Sequence, residues 1–252
     1  IVPAFTAVPT VSAVCALGAV PVAVDVDTRT ALLSTDAALA AITPRTRAIV
    51  PVHLYGRPAE VAPLVASGVP VVEDAAQAHG AIRPAGSAAV AYSFYPTKNL
   101  GGIGDGGAVA TSDGALADDV RRRRSHGTSE QYVHVEISKN FRMSELEAAW
   151  LRLRLPELGD ENRRRASIAR RYREVAPQLA WQDDHPDHVF HLCVARFPDR
   201  ETARATLAAA GVGTAVHYPL AITQQPAYRH LARAACPVAE AWAAQCVGVP
   251  CS

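Results

Sequence analysis

Two short runs constrain this chain more than any other feature: residues 48–54 (AIVPVHL) and 69–72 (VPVV) are apolar with no polar alternation. A strand with one face in water alternates, whereas a strand without alternation is buried on both faces, as in mostly parallel sheets covered by helices on each side. Helix-like spacing over 10–17, 35–42 and 60–66, with a further strand over 20–26, separates these runs and completes an alternating α/β pattern. Ligands in such sheets sit beyond the carboxyl ends of the strands. The second run ends there in an acidic pair, Glu73 and Asp74.

Lys98 follows in SFYPTKN, just before the glycine-dense GGIGDGG. A carboxylate at a strand end and a lysine left uncovered by glycines suit an aldehyde cofactor with a basic ring nitrogen, pyridoxal phosphate (PLP). Lys98 would condense with the aldehyde, which requires its amine deprotonated part of the time; a dry site near other positive charge lowers a lysine's pKa toward that state. Asp74 would keep the ring nitrogen protonated so that the ring accepts electrons. The Ser93 hydroxyl suits a phosphate, as do backbone N–H groups among small residues. Each residue alone has an ordinary reading, a capping Asp or a solvated Lys. Their joint appearance favours the cofactor.

The segments VVEDAAQAHGA (71–81), SFYPTKNLGGIGDGGAVATSD (93–113), NFRMSELEAAWLRLRL (140–155) and GVGTAVHYPL (211–220), in that order, resemble the DegT/DnrJ/EryC1/StrS family of PLP-dependent sugar aminotransferases. The resemblance spans nearly the whole chain. It implies an aspartate aminotransferase-like α/β fold (PLP fold type I): a mostly parallel sheet flanked by helices, plus a small C-terminal α+β domain. It implies that Gln77 contacts the cofactor ring region, that the residue near His79 supports the Asp, and that Asn140 crosses a homodimer interface to the partner's PLP phosphate. His217 and Tyr218 lie in a His-Tyr-Pro turn near the sugar-nucleotide site, where they either bind substrate oxygens or only form the turn. Relatives place an aromatic over the PLP ring where this chain has Ala7, with Phe5 as a possible substitute. The link from Gly80 to Tyr92 is shorter than the usual hairpin, which trims a surface loop. Relatives also carry a segment before the position of Ile1 and a further helix after the end, so the expectation is of a chain lacking both.

Residues 1–160 are expected to form the PLP-binding large domain. The long amphipathic stretch 156–179 carries the boundary, and 161–252 form the small domain, with strands over 188–197 and 213–217, a helix over 201–210 and two short closing helices. Asp113 reads as a helix cap, as does Ser144 with Glu147 three residues on. Leu146, Ala149, Trp150 and Leu153 form one helical face expected to pack the core. The arginine run 121–124 is either a dipole-complementing helix end or a contact for a substrate diphosphate.

The net charge of +1 and the absence of aromatics interleaved with the arginines argue against nucleic acid. Five cysteines, widely spread and without C-x-x-C or Cys/His spacing, suggest neither a disulfide framework nor a metal site, but buried thiols in a reducing cytoplasm. With no leader or long uncharged apolar run, no membrane partner is expected. The functional expectation is an aminotransferase loading nitrogen from glutamate or glutamine and passing it to a nucleotide-linked keto sugar. By resemblance this is a dTDP-3-keto-6-deoxyhexose of antibiotic biosynthesis, with dTDP-4-keto sugars and aminocyclitol ketones as alternatives. Lysine at 98 disfavours the same-fold dehydratases, which carry histidine there. A non-catalytic partner protein on a decayed scaffold is the alternative from another class.

Overall fold

The computed structural model describes residues 1–81, 86–231 and 233–252. Residues 82–85, part of the shortened link, lie outside the described residues. The apolar runs assemble as their lack of alternation requires. Strand β1 (Val2–Pro3) pairs in parallel with β2 (Ala23–Val24), across helix α1 (Val8–Ala16). The backbone of residues 48–53 lies between β1 and β3 (Val72–Asp74), with Val50 N–H donating to the Ile1 carbonyl and Val72 N–H to the Ile49 carbonyl. It pairs through parallel bridges at Ile49–Val71 and Val52–Asp74 rather than as a regular strand. Two prolines in the segment 48–53 and its neighbour, Pro51 and Pro70, lack the N–H a continuous ladder needs. Strand β4 (Ala89–Ser93) adds in parallel to β3, and β5 (Gly107–Ala110) closes the edge antiparallel. Helices α2 (Thr35–Ala40) and α3 (Ala62–Ala66) pack over the first half around Leu33, Ile49, Leu64 and Val71.

Helix α4 (Gly114–Arg123) starts at Asp113, whose side chain accepts from the Ala115 and Leu116 N–H groups. Its arginines are already engaged: Arg122 and Arg123 pair with Asp119 and Glu136, and Arg121 with Asp118. That pairing favours the helix-end reading over the diphosphate contact. After the small hairpin β6 (Thr128–Glu130) and β7 (Val133–His134), helix α5 (Glu145–Arg154) is capped by Ser144, which accepts from the Glu147 N–H. The face expected to pack the core does not. Leu146 and Leu153 are more than 70% exposed, while Glu147 and Leu151 are buried. Helical spacing marks an apolar stripe but not what covers it.

Helix α6 (Leu158–Val175) leads to an antiparallel sheet in which β9 (Cys193–Arg196) lies between β8 (Ala180–Trp181) and β10 (Cys246–Val249). Strand β10 falls where short helices alone were expected to close the chain. Residues 213–217 give only an Ala215–Gly248 bridge instead of a strand. Helix α7 (Arg200–Ala209) precedes this bridge, and α8 (Pro237–Gln245) follows it. Asp25, distant in sequence, caps α8, its two oxygens accepting from the Val238 and Ala239 N–H groups at 3.0 and 2.8 Å. One core joins both parts of the chain, packing Phe5, Leu54 and Tyr55 with Val194, Trp242 and Cys246. Four of the five cysteines are buried. No helix among the described residues is long and apolar enough to cross a membrane.

Trp242 is fully buried, stacks on Phe5 at 6.3 Å and lies under the Arg196 guanidinium at 4.9 Å. Trp242→Ala is expected to cost about 3–5 kcal/mol, as large-to-small core changes do, read as a lower urea midpoint at unchanged m-value.

Candidate active site

Strand β3 ends in two carboxylates, and successive side chains on a strand point to opposite faces. Glu73 turns into the protein, where its Oε2 lies 2.9 Å from His53 Nε2 and both residues are almost wholly buried. His53 Nδ1 accepts from the Ala59 N–H at 2.9 Å, so Nε2 carries the proton and donates to Glu73. Asp74 takes the other face. Its Oδ2 accepts from Thr10 Oγ1 at 2.7 Å and its Oδ1 from the Ala76 N–H at 3.0 Å. Among the described residues it has no ion-pair partner within 4.0 Å, leaving its charge available to a cationic ring nitrogen.

Lys98 lies in the turn after β4, its N–H donating to the Tyr95 carbonyl at 2.9 Å. Burial pushes its ammonium pKa down from the usual value, against the opposing pull of the nearby Asp74 carboxylate. The first two glycines after it leave no room for a side chain as the loop is packed. A Cβ on Gly101 would collide with the Pro96 carbonyl, and one on Gly102 with the Glu147 carboxylate. Helix α5 clamps this loop, Glu147 Oε2 accepting from the Ile103 N–H at 3.1 Å and Trp150 Nε1 donating to the Gly101 carbonyl at 3.1 Å. Ser144 caps α5 as its spacing suggested, but Glu147 reaches the glycine loop and not the start of its own helix.

The remaining predicted residues divide. Gln77 Oε1 accepts from the Tyr55 N–H at 2.6 Å, and Nε2 donates to the Tyr218 hydroxyl at 3.1 Å, leaving one amide N–H without a partner among the described residues. Burial pushes the Tyr218 phenol up to about 12, so it stays neutral. His217 lies close enough to Lys98 for burial and that charge together to lower its pKa; its buried Nδ1 has no partner among the described residues. Ser93 ends β4 with its hydroxyl accepting from the Tyr95 N–H at 3.3 Å, and its own hydrogen has no acceptor among the described residues. Asn140 is exposed, and its Oδ1 is engaged by Arg142 N–H and Nε at 3.1 and 3.0 Å. Within one chain those contacts keep it in a local turn.

Two expectations are corrected. His79 does not hold Asp74, whose side-chain partners among the described residues are Thr10 and the Ala76 N–H; the His79 ring lies against Tyr92 and Phe94 at 5.6 and 5.8 Å. Thr10, which sequence reading passed over as a helix residue, does that work. Phe5 is no substitute for an aromatic at Ala7, because its ring is fully buried between Tyr55, Tyr218 and Trp242.

These residues fit PLP. The site presents a lysine disfavoured as a cation, a held carboxylate without a counter-charge, a spare amide N–H and a spare hydroxyl, at the carboxyl end of a parallel sheet. Burial pushes His79 from 6.5 down to about 4, with Lys98 adding to the effect. As pH falls through this window the unfolded chain takes up a proton that the native state refuses, so stability present above pH 6.5 is lost toward pH 4. The span corresponds to roughly 3 kcal/mol. His79→Phe is expected to flatten that acid loss in urea unfolding followed from pH 7 to 4, and an unchanged slope would contradict it.

The model of the DegT/DnrJ/EryC1/StrS aminotransferase family matches residues 1–252. The chain is 43% identical over 266 aligned positions to the erythromycin biosynthesis sensory transduction protein EryC1 of Saccharopolyspora erythraea, covering 99% of this chain and 73% of that protein. It is 41% identical to the dTDP-3-amino-3,4,6-trideoxy-alpha-D-glucose transaminase of Streptomyces venezuelae, covering 99% and 70%. The crystal structure of S. venezuelae DesV in complex with ketimine intermediate superposes with a TM-score of 0.95 at 39% identity, covering 99% of this chain and 72% of that one. The family model runs from the first residue to the last, and relatives at 43% and 41% identity cover 99% of the chain: this protein is a member of the DegT/DnrJ/EryC1/StrS family of PLP-dependent aminotransferases.

Proposed function

We propose that the protein moves an amino group from L-glutamate or glutamine to a nucleotide-linked keto sugar, with Lys98 as the lysine that holds PLP. The observation carrying this reading is the partly buried Lys98 within charge range of Asp74 at the end of β3. When bound, PLP supplies an electron sink for the carbanion formed next to the transferred nitrogen. Asp74, oriented by Thr10, keeps the ring nitrogen protonated, and Gln77 offers its free N–H to the ring region. Ser93 donates its hydroxyl to the phosphate. Lys98, disfavoured as an ammonium, is the group able to take a proton from the amino-bearing carbon and return it. His217 and Tyr218, kept neutral by burial, suit the uncharged oxygens of a sugar better than a charged group would.

Substrate class follows from similarity. The S. venezuelae relative is named for a dTDP-linked 3-amino sugar, which favours a dTDP-3-keto-6-deoxyhexose here over dTDP-4-keto sugars and aminocyclitol ketones. We place the reaction in the cytoplasm, assign PLP to residues 1–160, and take 161–252 as the smaller domain.

The protein works as a homodimer with shared sites. Tyr132, Val135, Ile137, Phe141, Leu146 and Leu153 are all more than half exposed, and a run of exposed apolar side chains this long is covered by a partner in a soluble protein. Asn140 lies within it, so a partner seated there carries Asn140 toward the other subunit's PLP phosphate.

Purified protein with PLP is expected to show a visible band that borohydride abolishes and Lys98→Ala lacks; a variant that keeps the band removes the reading's anchor. Initial rates with L-glutamate should follow ping-pong kinetics and be faster with dTDP-3-keto than with dTDP-4-keto sugars. Mixing inactive Lys98→Ala with Asn140→Ala subunits should restore about a quarter of parental activity through hybrid dimers with one intact site. No recovery would argue against sharing.

A further inference from the structure

The residue after Lys98 is a buried amide whose hydrogen bonds can all be given a direction, starting from two backbone carbonyls. A carbonyl only accepts, so Asn162 Nδ2, 2.8 Å from the His79 carbonyl, is the donor there, and Asn162 Oδ1 faces Asn99. Asn99 Nδ2 gives its two hydrogens to Asn162 Oδ1 at 2.8 Å and to the Val189 carbonyl at 3.0 Å. Its Oδ1 is then an acceptor, 3.1 Å from His191 Nδ1. His191 Nδ1 therefore carries a proton. With the ring neutral, Nε2 is bare.

Three elements meet in this network. Asn99 belongs to the Lys98 turn, Asn162 to α6, and Val189 and His191 to the segment leading into β9. Asn99 and His191 are less than a tenth exposed. The approach is too close for a side chain at Gly56, where a Cβ would meet the His191 backbone nitrogen at 2.9 Å and φ is +96°. Facing Lys98 are Asp74 at the end of β3, His79 from the following loop, His191, and His217 from the turn after α7. Arg165 of α6 also faces His191. Burial first, and then the charges of Lys98 and Arg165, hold His191 well below its usual pKa. Lys98, and Arg165 facing His191, thus sit among three imidazoles that are each disfavoured as cations, with the Asp74 carboxylate opposite the lysine.

We propose that Asn99 is a positioning residue for Lys98: its carbonyl oxygen locks His191 as the neutral Nδ1–H tautomer, and its amide ties the Lys98 turn to α6. An amide at this position accepts from a neutral imidazole but cannot stabilise an imidazolium as a carboxylate would, so no imidazolium forms beside the lysine. The inference rests on the reading that Lys98 holds PLP.

The test uses the PLP-loaded protein labelled with ¹⁵N-histidine, the His191 signals being assigned by their loss in His191→Gln. His191 should appear as the Nδ1–H tautomer and not titrate between about pH 6 and 9; an Nε2–H tautomer overturns the proposal. Asn99→Asp should raise the His191 pKa by about one unit or more, as a carboxylate facing Nδ1–H does. Asn99→Ala should keep the visible band, shift its pH midpoint by about half a unit or more, and lower kcat about ten-fold with KM for the sugar little changed. Parental midpoint and kcat in Asn99→Ala would reduce Asn99 to packing and overturn the proposal. If that variant does not fold, the tautomer and the Asp variant decide. Failure of the underlying reading looks different, because Lys98→Ala would then keep the band.

Discussion

A buried carboxylate held by a buried imidazole decides which face of this sheet can be an active site. Glu73 and Asp74 are chemically alike and adjacent, and the pleat sends them to opposite sides. Because His53 takes Glu73, and the Ala59 N–H sets the tautomer of His53, the acidic pair is split into a member paired inside the protein and one without an ion-pair partner among the described residues. The energetic reason is asymmetric. A carboxylate buried without a donor costs several kcal/mol, so Glu73 and His53 are bound to each other's presence, while Asp74 keeps only a hydroxyl and one backbone N–H. Its charge lies within reach of Lys98.

The Lys98 turn depends on that arrangement from the other side. Its glycines admit the Glu147 carboxylate and the Trp150 indole of α5, and Asn99 connects it to α6 and the approach to β9. A loop held from both ends by helices puts the amine at a reproducible place, which a reaction needing proton transfer at a single carbon requires. The exposed apolar stripe of α5 lies on the same helix that clamps the loop, so whatever covers the stripe also bears on the lysine.

Much of this was legible in the residues. The unalternating runs announced a sheet buried on both faces, Asp113 and Ser144 marked real helix starts, and Lys98 and Asp74, singled out together in the sequence, lie within charge range of each other in the fold. Other features were not. Leu146 and Leu153 read as core because periodicity reports a stripe without its partner. The arginine run read as a possible anion contact because Glu136, which helps neutralise it, comes later in the chain. Thr10 looked like an ordinary helix residue, and Asn99 like the tail of a motif. His79 seemed placed to support Asp74, yet strand and loop geometry turned it toward Tyr92 and Phe94.

The sequence by itself determined the kinds of element, their order, and the residue types able to hold an aldehyde cofactor, because periodicity, capping and side-chain chemistry are local properties written in neighbouring residues. The tertiary structure alone decided which atoms meet: Thr10 with Asp74, Asn99 with Asn162 and His191, Gln77 with Tyr218, Asp25 with the start of α8. Those pairs lie 63 or more residues apart, and the last 214. Only the closing of the sheet and the packing of α6 and α8 against it bring such groups within the 3 Å or so at which a hydrogen bond has direction and strength.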